Sequence, residues 1–215
     1  MDPRRAALLV IDMQEYGLRR SSGLGRILAQ RYPDLADYFF DRLDSVVIPN
    51  TQRLLSFFRD HGLRIVYVTV GPELPDGSDY FPRRRRRDEM RPTGDQTLFP
   101  RGSREHSVID ELAPRPGELV LNKTSMSPFN STGIDQLLRN MNITGLVVTG
   151  VGTHACVETT ARDAADRGYD VYLMEDACTS VHPQLDQAAL LSFALLSGKV
   201  KTTPDVLEEF GALLR

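Results

Sequence analysis

The chain has 215 residues, of which 41% are hydrophobic and 26% are charged, and its formal net charge at pH 7 is -3. These values are ordinary for one globular α/β domain, so we expect a single domain over residues 1–215. The slight negative charge argues against binding to nucleic acid or to an anionic membrane. No apolar stretch approaches the roughly 20 residues of a transmembrane helix.

The N-terminal segment and the two cysteines bear on the cellular compartment. Asp12 interrupts the first apolar run, which leaves it shorter than the apolar region of a secretory signal peptide. Proteins without an export signal usually keep their cysteines as thiols. We therefore expect a cytoplasmic protein in which Cys156 and Cys178 are not joined by a disulfide.

Short apolar runs alternate with amphipathic stretches along the chain. The runs are rich in β-branched residues, which is typical of strands buried on both faces of a parallel sheet. They cover residues 6–11, 64–70, 118–121, 145–149 and 169–174, with a shorter sixth candidate at 199–202. Helical patterns cover residues 47–61, 132–140, 157–167, 183–196 and 204–214. The alternation predicts an α/β protein with a three-layer Rossmann-like fold, in which a parallel sheet of about six strands has helices on both faces.

Two stretches lack a regular pattern. We expect the aromatic insert between the first strand and residue 47 to line a substrate pocket or to pack between subunits. Residues 71–104 form the longest irregular segment, which contains the basic run Arg83–Arg87. Such a long segment in a compact domain usually has a function. The basic run is most simply a solvated group of charges; the alternatives are contact with a carboxylate substrate, a neighbouring subunit or nucleic acid.

Three reactive side chains follow predicted strands. Asp12 comes directly after the first, Lys123 follows residues 118–121, and Cys156 follows residues 145–149 after a turn that contains glycine. Ligands of open α/β sheets bind outside the carboxyl ends of the strands, where these three residues would meet. Each residue alone is a weak signal, but together they predict an active site.

The three residue types suit nucleophilic catalysis. Cys156 lies where a helix begins, and the positive end of the helix dipole favours the nucleophilic thiolate. Asp12 is placed to accept the thiol proton and to pass it to a leaving amine. Lys123 would stabilise both anions, and backbone N–H groups between Gly150 and Cys156 would face a developing oxyanion.

The same residues lie in four sequence blocks: Leu9-Val-Ile-Asp12-Met-Gln14; Lys123 with Ser127-Pro-Phe129 and Thr132; Gly150-Val-Gly-Thr-His-Ala-Cys156-Val; and Glu175-Asp-Ala177. In these blocks and their order the chain resembles the isochorismatase-like cysteine hydrolases. This superfamily includes nicotinamidases, N-carbamoylsarcosine amidohydrolases, ureidoacrylate hydrolases and biuret hydrolases. The resemblance covers most of the chain, from the first strand to the sixth.

The resemblance implies specific roles. Asp12, Lys123 and Cys156 would be the catalytic triad, and a non-proline cis peptide bond would join Val151 to Gly152. The oxyanion hole would consist of the backbone N–H groups of Gly152 and Cys156. The resemblance also implies that no organic cofactor is needed and that the chain forms a homo-oligomer, either a dimer or a tetramer.

Four further residues are candidates for contact with a substrate. Gln14 is close to Asp12 in sequence, and Phe129 and Asn130 follow Lys123 in the second block. His154 takes a position where many relatives have Asp or Asn, and it either tunes the thiolate or fills space.

A metal site is not expected. Nicotinamidases of this superfamily bind a metal through an Asp-x-His pattern after the second strand and through another histidine. Residues 69–73 of this chain contain no histidine, His61 precedes that strand, and His106 is far downstream. We therefore predict no catalytic metal and no nicotinamidase activity.

The predicted activity is cysteine-dependent cleavage of a C–N bond in a small linear amide or ureido compound, with a covalent thioester-type intermediate and release of ammonia. Two alternatives remain open from the sequence. One is hydrolysis of an enol ether, which isochorismatases proper perform without a cysteine. The other is a binding module without catalysis, which predicts an unreactive Cys156 thiol.

Overall fold

A parallel sheet forms the centre of the molecule in the computed structural model, which describes residues 1–82 and 99–215. Its strands are β1 (Ala6–Ile11), β2 (Arg64–Val70), β3 (Leu119–Lys123), β4 (Gly145–Val151), β5 (Asp170–Thr179) and β6 (Lys199–Lys201). They are ordered β3-β2-β1-β4-β5-β6, and every neighbouring pair is parallel. The order reverses between β1 and β4, which is where ligands of such sheets usually bind.

Helices cover both faces of the sheet. They are α1 (Glu15–Leu18), α2 (Gly23–Arg31), α3 (Pro33–Arg42), α4 (Ile48–Asp60), α5 (Ile134–Asn140), α6 (Glu158–Asp166), α7 (Pro183–Leu196) and α8 (Thr203–Leu214). A π-helical segment, Leu43–Val47, joins α3 to α4, and a second one, Thr153–Val157, precedes α6. None of the helices within residues 1–82 and 99–215 is long and apolar enough to cross a bilayer.

The strands are apolar throughout because each face of the sheet packs against its own layer of helices. Successive side chains of a strand point to opposite faces. Leu8 and Val10 of β1 pack in one core with residues of α3, α4 and α8, whereas Leu9 and Ile11 pack in the other core with residues of α5, α6 and α7. This arrangement confirms the predicted three-layer α/β fold with a six-stranded parallel sheet.

The predicted end of the fifth strand is wrong. β5 continues to Thr179 and includes Cys178, whereas the predicted strand covers residues 169–174. The pairing of β4 with β5 shifts register between Val148 and Gly150, so that Gly150 lies opposite Cys178. Because the acidic pair that follows Met174 lies at this irregularity, it interrupts the apolar run without ending the strand.

The insert after β1 contains three helices, α1, α2 and α3, that the sequence did not predict. α3 begins at Pro33 and buries Phe39 and Phe40, whereas α2 buries Ile27 and Leu28. Tyr38 donates a hydrogen bond from its hydroxyl to Asp186 Oδ2 at 2.8 Å, which ties the insert to α7. The few apolar residues of α2 gave only a weak periodic signal. The basic run Arg83–Arg87 lies outside the described residues.

Candidate active site

The sheet brings Asp12, Lys123 and Cys156 into direct contact at the carboxyl ends of its strands. Lys123 Nζ donates hydrogen bonds to Asp12 Oδ2 at 2.9 Å and to Cys156 Sγ at 3.3 Å. The Lys123 side chain is completely buried, and the Asp12 side chain is 8% exposed. A buried ammonium group between a carboxylate and a sulfur atom is strongly constrained, because removal of either charge would leave the other unpaired.

Asp12 turns away from the regular strand geometry. Its φ is +55°, a left-handed conformation that Asp tolerates better than most residues. Its amide still donates to the carbonyl of Val68 at 2.8 Å, so the turn is fixed to β2. Among the described residues, the buried atom Oδ1 of Asp12 has no hydrogen-bond partner. This oxygen is therefore available to accept a proton.

Cys156 lies where β4 gives way to α6. The peptide bond from Val151 to Gly152 is cis, at the position that the resemblance implied. Ala155 has a φ of -127° and a ψ of -108°, which breaks the helical segment just before the cysteine. The break puts Cys156 at the start of the continuous helix, as the sequence suggested.

The close approach of β4 to β1 depends on Gly150. Its φ is +125°, and a Cβ atom there would lie 2.0 Å from the carbonyl oxygen of Ile11. Any larger residue would push apart the two strands that carry Asp12 and Cys156.

The resting thiol is not the low-pKa thiolate that the helix terminus alone predicted. The pKa of the Cys156 thiol is raised to about 12, and burial is the largest cause. The negative charge of Asp12 also raises this pKa, by more than the positive charge of Lys123 lowers it. Burial also lowers the pKa of Lys123, but Asp12 and Cys156 outweigh burial, and the net shift is upward. Burial and the charge of Asp12 therefore oppose the Cys156 thiolate, whereas the Lys123 ammonium group favours it.

Cys178 and the pair of Glu158 and Arg162 have structural environments near the site. Cys178 is a buried free thiol that packs in the second core, and burial raises its pKa. Arg162 and Glu158 form an ion pair at 2.8 Å on α6. None of these three side chains forms a hydrogen bond with Asp12, Lys123 or the Cys156 thiol.

The side-chain amide of Gln14 makes three hydrogen bonds to the backbone. Its Nε2 donates to the carbonyls of Val70 and His106 at 3.1 and 2.8 Å, and its Oε1 accepts from the amide of Val70 at 2.8 Å. These hydrogen bonds connect the segment that follows β1 to the end of β2.

Phe129 and Asn130 both contact residues of α6 or its C-terminal end. The turn Pro128–Asn130 buries Phe129 beneath the guanidinium of Arg167, with 4.9 Å from the guanidinium carbon to the ring centroid. Asn130 Nδ2 donates to Asp163 Oδ2 at 3.0 Å on α6. These contacts serve the packing of the turn on α6.

His154 is exposed on the segment that carries the proposed oxyanion hole. A Cβ atom added to Gly152 would lie 3.8 Å from its imidazole. His154, like Gln14, Phe129 and Asn130, stays a candidate for contact with a substrate.

The sequence analysis missed a polar cluster at the exits of β2 and β3. His106 Nε2 and Asn122 Oδ1 form a hydrogen bond at 2.8 Å, and Asn122 Nδ2 donates to Glu73 Oε1 at 2.8 Å. His106 is far from β2 in sequence, so only the folded loop reveals this proximity. Within the described part of the chain, no group of three or more His, Cys, Asp or Glu residues is arranged to hold a metal ion.

Comparison with known proteins identifies the family. The family model for the isochorismatase domain matches residues 6–205. The chain belongs to the isochorismatase family. Relatives in sequence include the ureidoacrylate amidohydrolase RutB of Enterobacter sp. (strain 638), which is 32% identical over 94% of this chain and 88% of its own length. RutB of Caulobacter segnis is 31% identical over 99% of this chain and 89% of its own length.

Solved isochorismatase-like structures share the fold. A cysteine hydrolase from Pseudomonas syringae pv. phaseolicola 1448A has a TM-score of 0.82 and 25% identity, and the match covers 99% of this chain and 95% of that one. The N-carbamoylsarcosine amidase from Thermoplasma acidophilum has a TM-score of 0.67 and 26% identity, covering 93% of this chain and 96% of that one. The family resemblance inferred from the four sequence blocks is therefore confirmed.

Proposed function

We propose that this chain is a cysteine-dependent amidohydrolase that cleaves a C–N bond, other than a peptide bond, in a small linear amide or ureido compound. The observation that carries the proposal is the contact of Lys123 Nζ with both Asp12 Oδ2 and Cys156 Sγ. The names of the relatives, which are ureidoacrylate amidohydrolases and an N-carbamoylsarcosine amidase, support the same reaction class.

The first half of the reaction forms a covalent intermediate. The Cys156 thiol transfers its proton to Asp12 as the sulfur attacks the substrate carbonyl, and Lys123 compensates the negative charge on the sulfur. The backbone N–H groups of Gly152 and Cys156 donate to the oxyanion. Asp12 then returns the proton to the leaving nitrogen, the C–N bond breaks, and ammonia departs from a thioester-type acyl enzyme.

The second half regenerates the enzyme. Asp12 accepts a proton from a water molecule that attacks the acyl carbon. The C–S bond breaks, the acid product leaves, and the proton on Asp12 returns to the sulfur. Because burial and Asp12 raise the pKa of Cys156, the thiolate forms only as the carbonyl is attacked, and Lys123 provides the compensating charge.

The two alternatives are not favoured. Enol-ether hydrolysis gives no role to the sulfur that Lys123 contacts, and the curated relatives are named for amide hydrolysis. A binding module would have no use for a cysteine thiol held against the buried Lys123–Asp12 ion pair, because burying such a pair is costly.

The test is ammonia release from a panel of biuret, ureidoacrylate, N-carbamoyl amino acids, maleamate and nicotinamide. The native chain is expected to release ammonia from at least one linear compound, and the Cys156→Ala variant is expected to be inactive on it. Equal turnover by the variant would contradict the proposal, as would a native chain that acts on none of the linear compounds.

We also propose a single domain over residues 1–215, a cytoplasmic location, and a homo-oligomer, either a dimer or a tetramer. The free thiols of Cys156 and Cys178 are compatible with a reducing compartment. Leu191, Leu195 and Leu196 of α7 are 64%, 73% and 78% exposed, an apolar surface suited to a second copy of the chain. Light scattering should detect the oligomer, and a monomer at micromolar concentration would contradict it.

A further inference from the structure

The contact between Asp12 and Lys123 spans β2, because the strands that carry these residues are not neighbours in the sheet. β1 ends just before Asp12, Lys123 is the last residue of β3, and β2 lies between the two strands. The pairing of strands therefore does not join the two segments directly. A buried ion pair is favourable only when its geometry is good, so the separation of these segments has to be held closely.

His106 forms hydrogen bonds with both segments from a loop outside the sheet. Its backbone carbonyl accepts from Nε2 of Gln14, two residues after Asp12, at 2.8 Å. Its imidazole Nε2 lies 2.8 Å from Oδ1 of Asn122, the residue before Lys123. His106 and Gln14 are both buried, and hydrogen bonds in such surroundings constrain their partners more strongly than bonds exposed to water.

The other contacts of Asn122 show that His106 is the donor. Asn122 Nδ2 donates to the carbonyl of Gly71 at 2.9 Å and to Glu73 Oε1 at 2.8 Å. Both of these atoms are acceptors, so the amide oxygen faces His106 and accepts from its Nε2. The hydroxyl of Thr69 lies 3.3 Å from the same oxygen. The bond from His106 is thus the shorter of two contacts that hold Oδ1 of Asn122.

The imidazole of His106 donates as a neutral group. Burial is the largest influence on the pKa of His106 and lowers it. The hydrogen bond to Asn122 and the charges of Glu73 and Asp12 raise this pKa, but the net shift is downward, with a further lowering by Arg101. The ring is therefore neutral at pH 7, and a neutral amide N–H can replace it as the donor.

The ring also packs on backbone that is bonded to Lys123. The amide of Gly71 donates to the carbonyl of Lys123 at 3.2 Å. A Cβ atom on Gly71 would lie 2.9 Å from Cδ2 of His106, so the ring lies directly against this glycine. The imidazole therefore contacts both the residue before Lys123 and the backbone that pairs with Lys123.

We propose that His106 is a positioning residue, whose imidazole keeps Lys123 Nζ at hydrogen-bonding distance from Cys156 Sγ. The side chain acts on β3 through Asn122, whereas the bond to the segment after Asp12 uses the backbone carbonyl of His106 and is available to any residue at this position. Loss of the imidazole should therefore displace Lys123 more than Asp12. The inference rests on the proposed function for its effect on turnover, but its effect on the thiol can be measured without a substrate.

Glutamine and methionine are a matched pair for replacing His106. Their side chains have similar lengths, but glutamine keeps an N–H donor for Asn122 and methionine has none. Because Lys123 lowers the pKa of Cys156, displacing Lys123 should slow alkylation of the thiol by iodoacetamide. At pH 8 we expect His106→Met to react roughly 3- to 10-fold more slowly than the native chain, and His106→Gln to stay within about 2-fold of it.

Turnover gives a second measurement. His106→Met should lower kcat by roughly 10- to 100-fold and change KM by less than about 3-fold, because a small displacement of a reacting group is that costly. His106→Gln should restore kcat to within about 5-fold of the native value. The stability control is Tyr172→Phe, which loses a hydrogen bond to Glu209 near the amino end of β5. It should lower the unfolding temperature without changing alkylation.

Faster alkylation of His106→Met would overturn the inference, because it would report an opened site and not a displaced ammonium group. The same conclusion would follow from equal effects of glutamine and methionine, from slower alkylation in Tyr172→Phe, or from a His106→Met chain that is unfolded while His106→Gln is native. If the native chain releases no ammonia, the proposed function fails, yet the alkylation rates still decide the role of His106. Ammonia release that needs Cys156, with equal alkylation of all variants, keeps the function and refutes that role.

Discussion

Replacing Lys123 with methionine is expected to lower the free energy of unfolding by about 3–5 kcal/mol and to abolish ammonia release. The Lys123 side chain is completely buried, and its ammonium is the partner of the buried Asp12 carboxylate. Methionine has a similar length but leaves that carboxylate uncompensated. It also removes the cation that lowers the pKa of Cys156. Urea denaturation at pH 7 measures the change in stability.

The matched control removes both charges. Replacing a buried ion pair with neutral groups of similar size is often neutral or stabilising, whereas breaking it is costly. The double variant Asp12→Asn with Lys123→Met should therefore recover most of the stability lost by Lys123→Met alone, and it should stay inactive. A single variant within about 1 kcal/mol of the native chain would show that the ion pair contributes little.

Replacing Asp12 with asparagine should have opposite effects on turnover and on thiol reactivity. Ammonia release should fall by roughly 10²- to 10⁴-fold, because the group that moves the proton is lost. Alkylation of Cys156 by iodoacetamide at pH 8 should become faster. The Asp12 charge raises the pKa of the thiol while Lys123 lowers it, so removing Asp12 increases the thiolate fraction at this pH.

Three comparisons make this result specific to the charge at Asp12. Cys156 of the Lys123→Met variant should be alkylated more slowly than Cys156 of the native chain, because the variant lacks the positive charge that lowers the pKa of the thiol. The Cys156→Ala variant gives the background from Cys178, which is buried. A native thiol that titrates near pH 7, or an Asp12→Asn variant that alkylates no faster than the native chain, would contradict the charge balance described for the site.

The fold and the reactive residues were predictable because they depend on regular patterns. Continuous apolar runs indicated the parallel strands, and the carboxyl ends of parallel strands share one edge of a sheet. Placing Asp12, Lys123 and Cys156 at those ends was therefore enough to expect their contact. The left-handed φ of Asp12 and the break at Ala155, which complete the geometry, are local backbone features that no periodic pattern reports.

Other properties of the site depend on tertiary contacts that the sequence does not encode locally. The helix terminus alone suggested a low pKa for Cys156, but burial and Asp12 outweigh it. His106 reaches Asn122 only because an irregular loop folds back onto β2. Phe129 and Asn130 lie near Lys123 in sequence, yet their turn directs one under Arg167 and the other to Asp163.

The most direct test of the central claim is a measurement of the protein's mass during turnover. The reaction with whichever compound releases ammonia is quenched in acid within the first turnovers, and the mass of the protein is then determined. The account predicts a species heavier by the substrate minus ammonia, with the added mass on the peptide that contains Cys156 and absent from the Cys156→Ala variant. Ammonia release without such an adduct, continuing at the native rate in Cys156→Ala, would contradict Cys156 as the nucleophile.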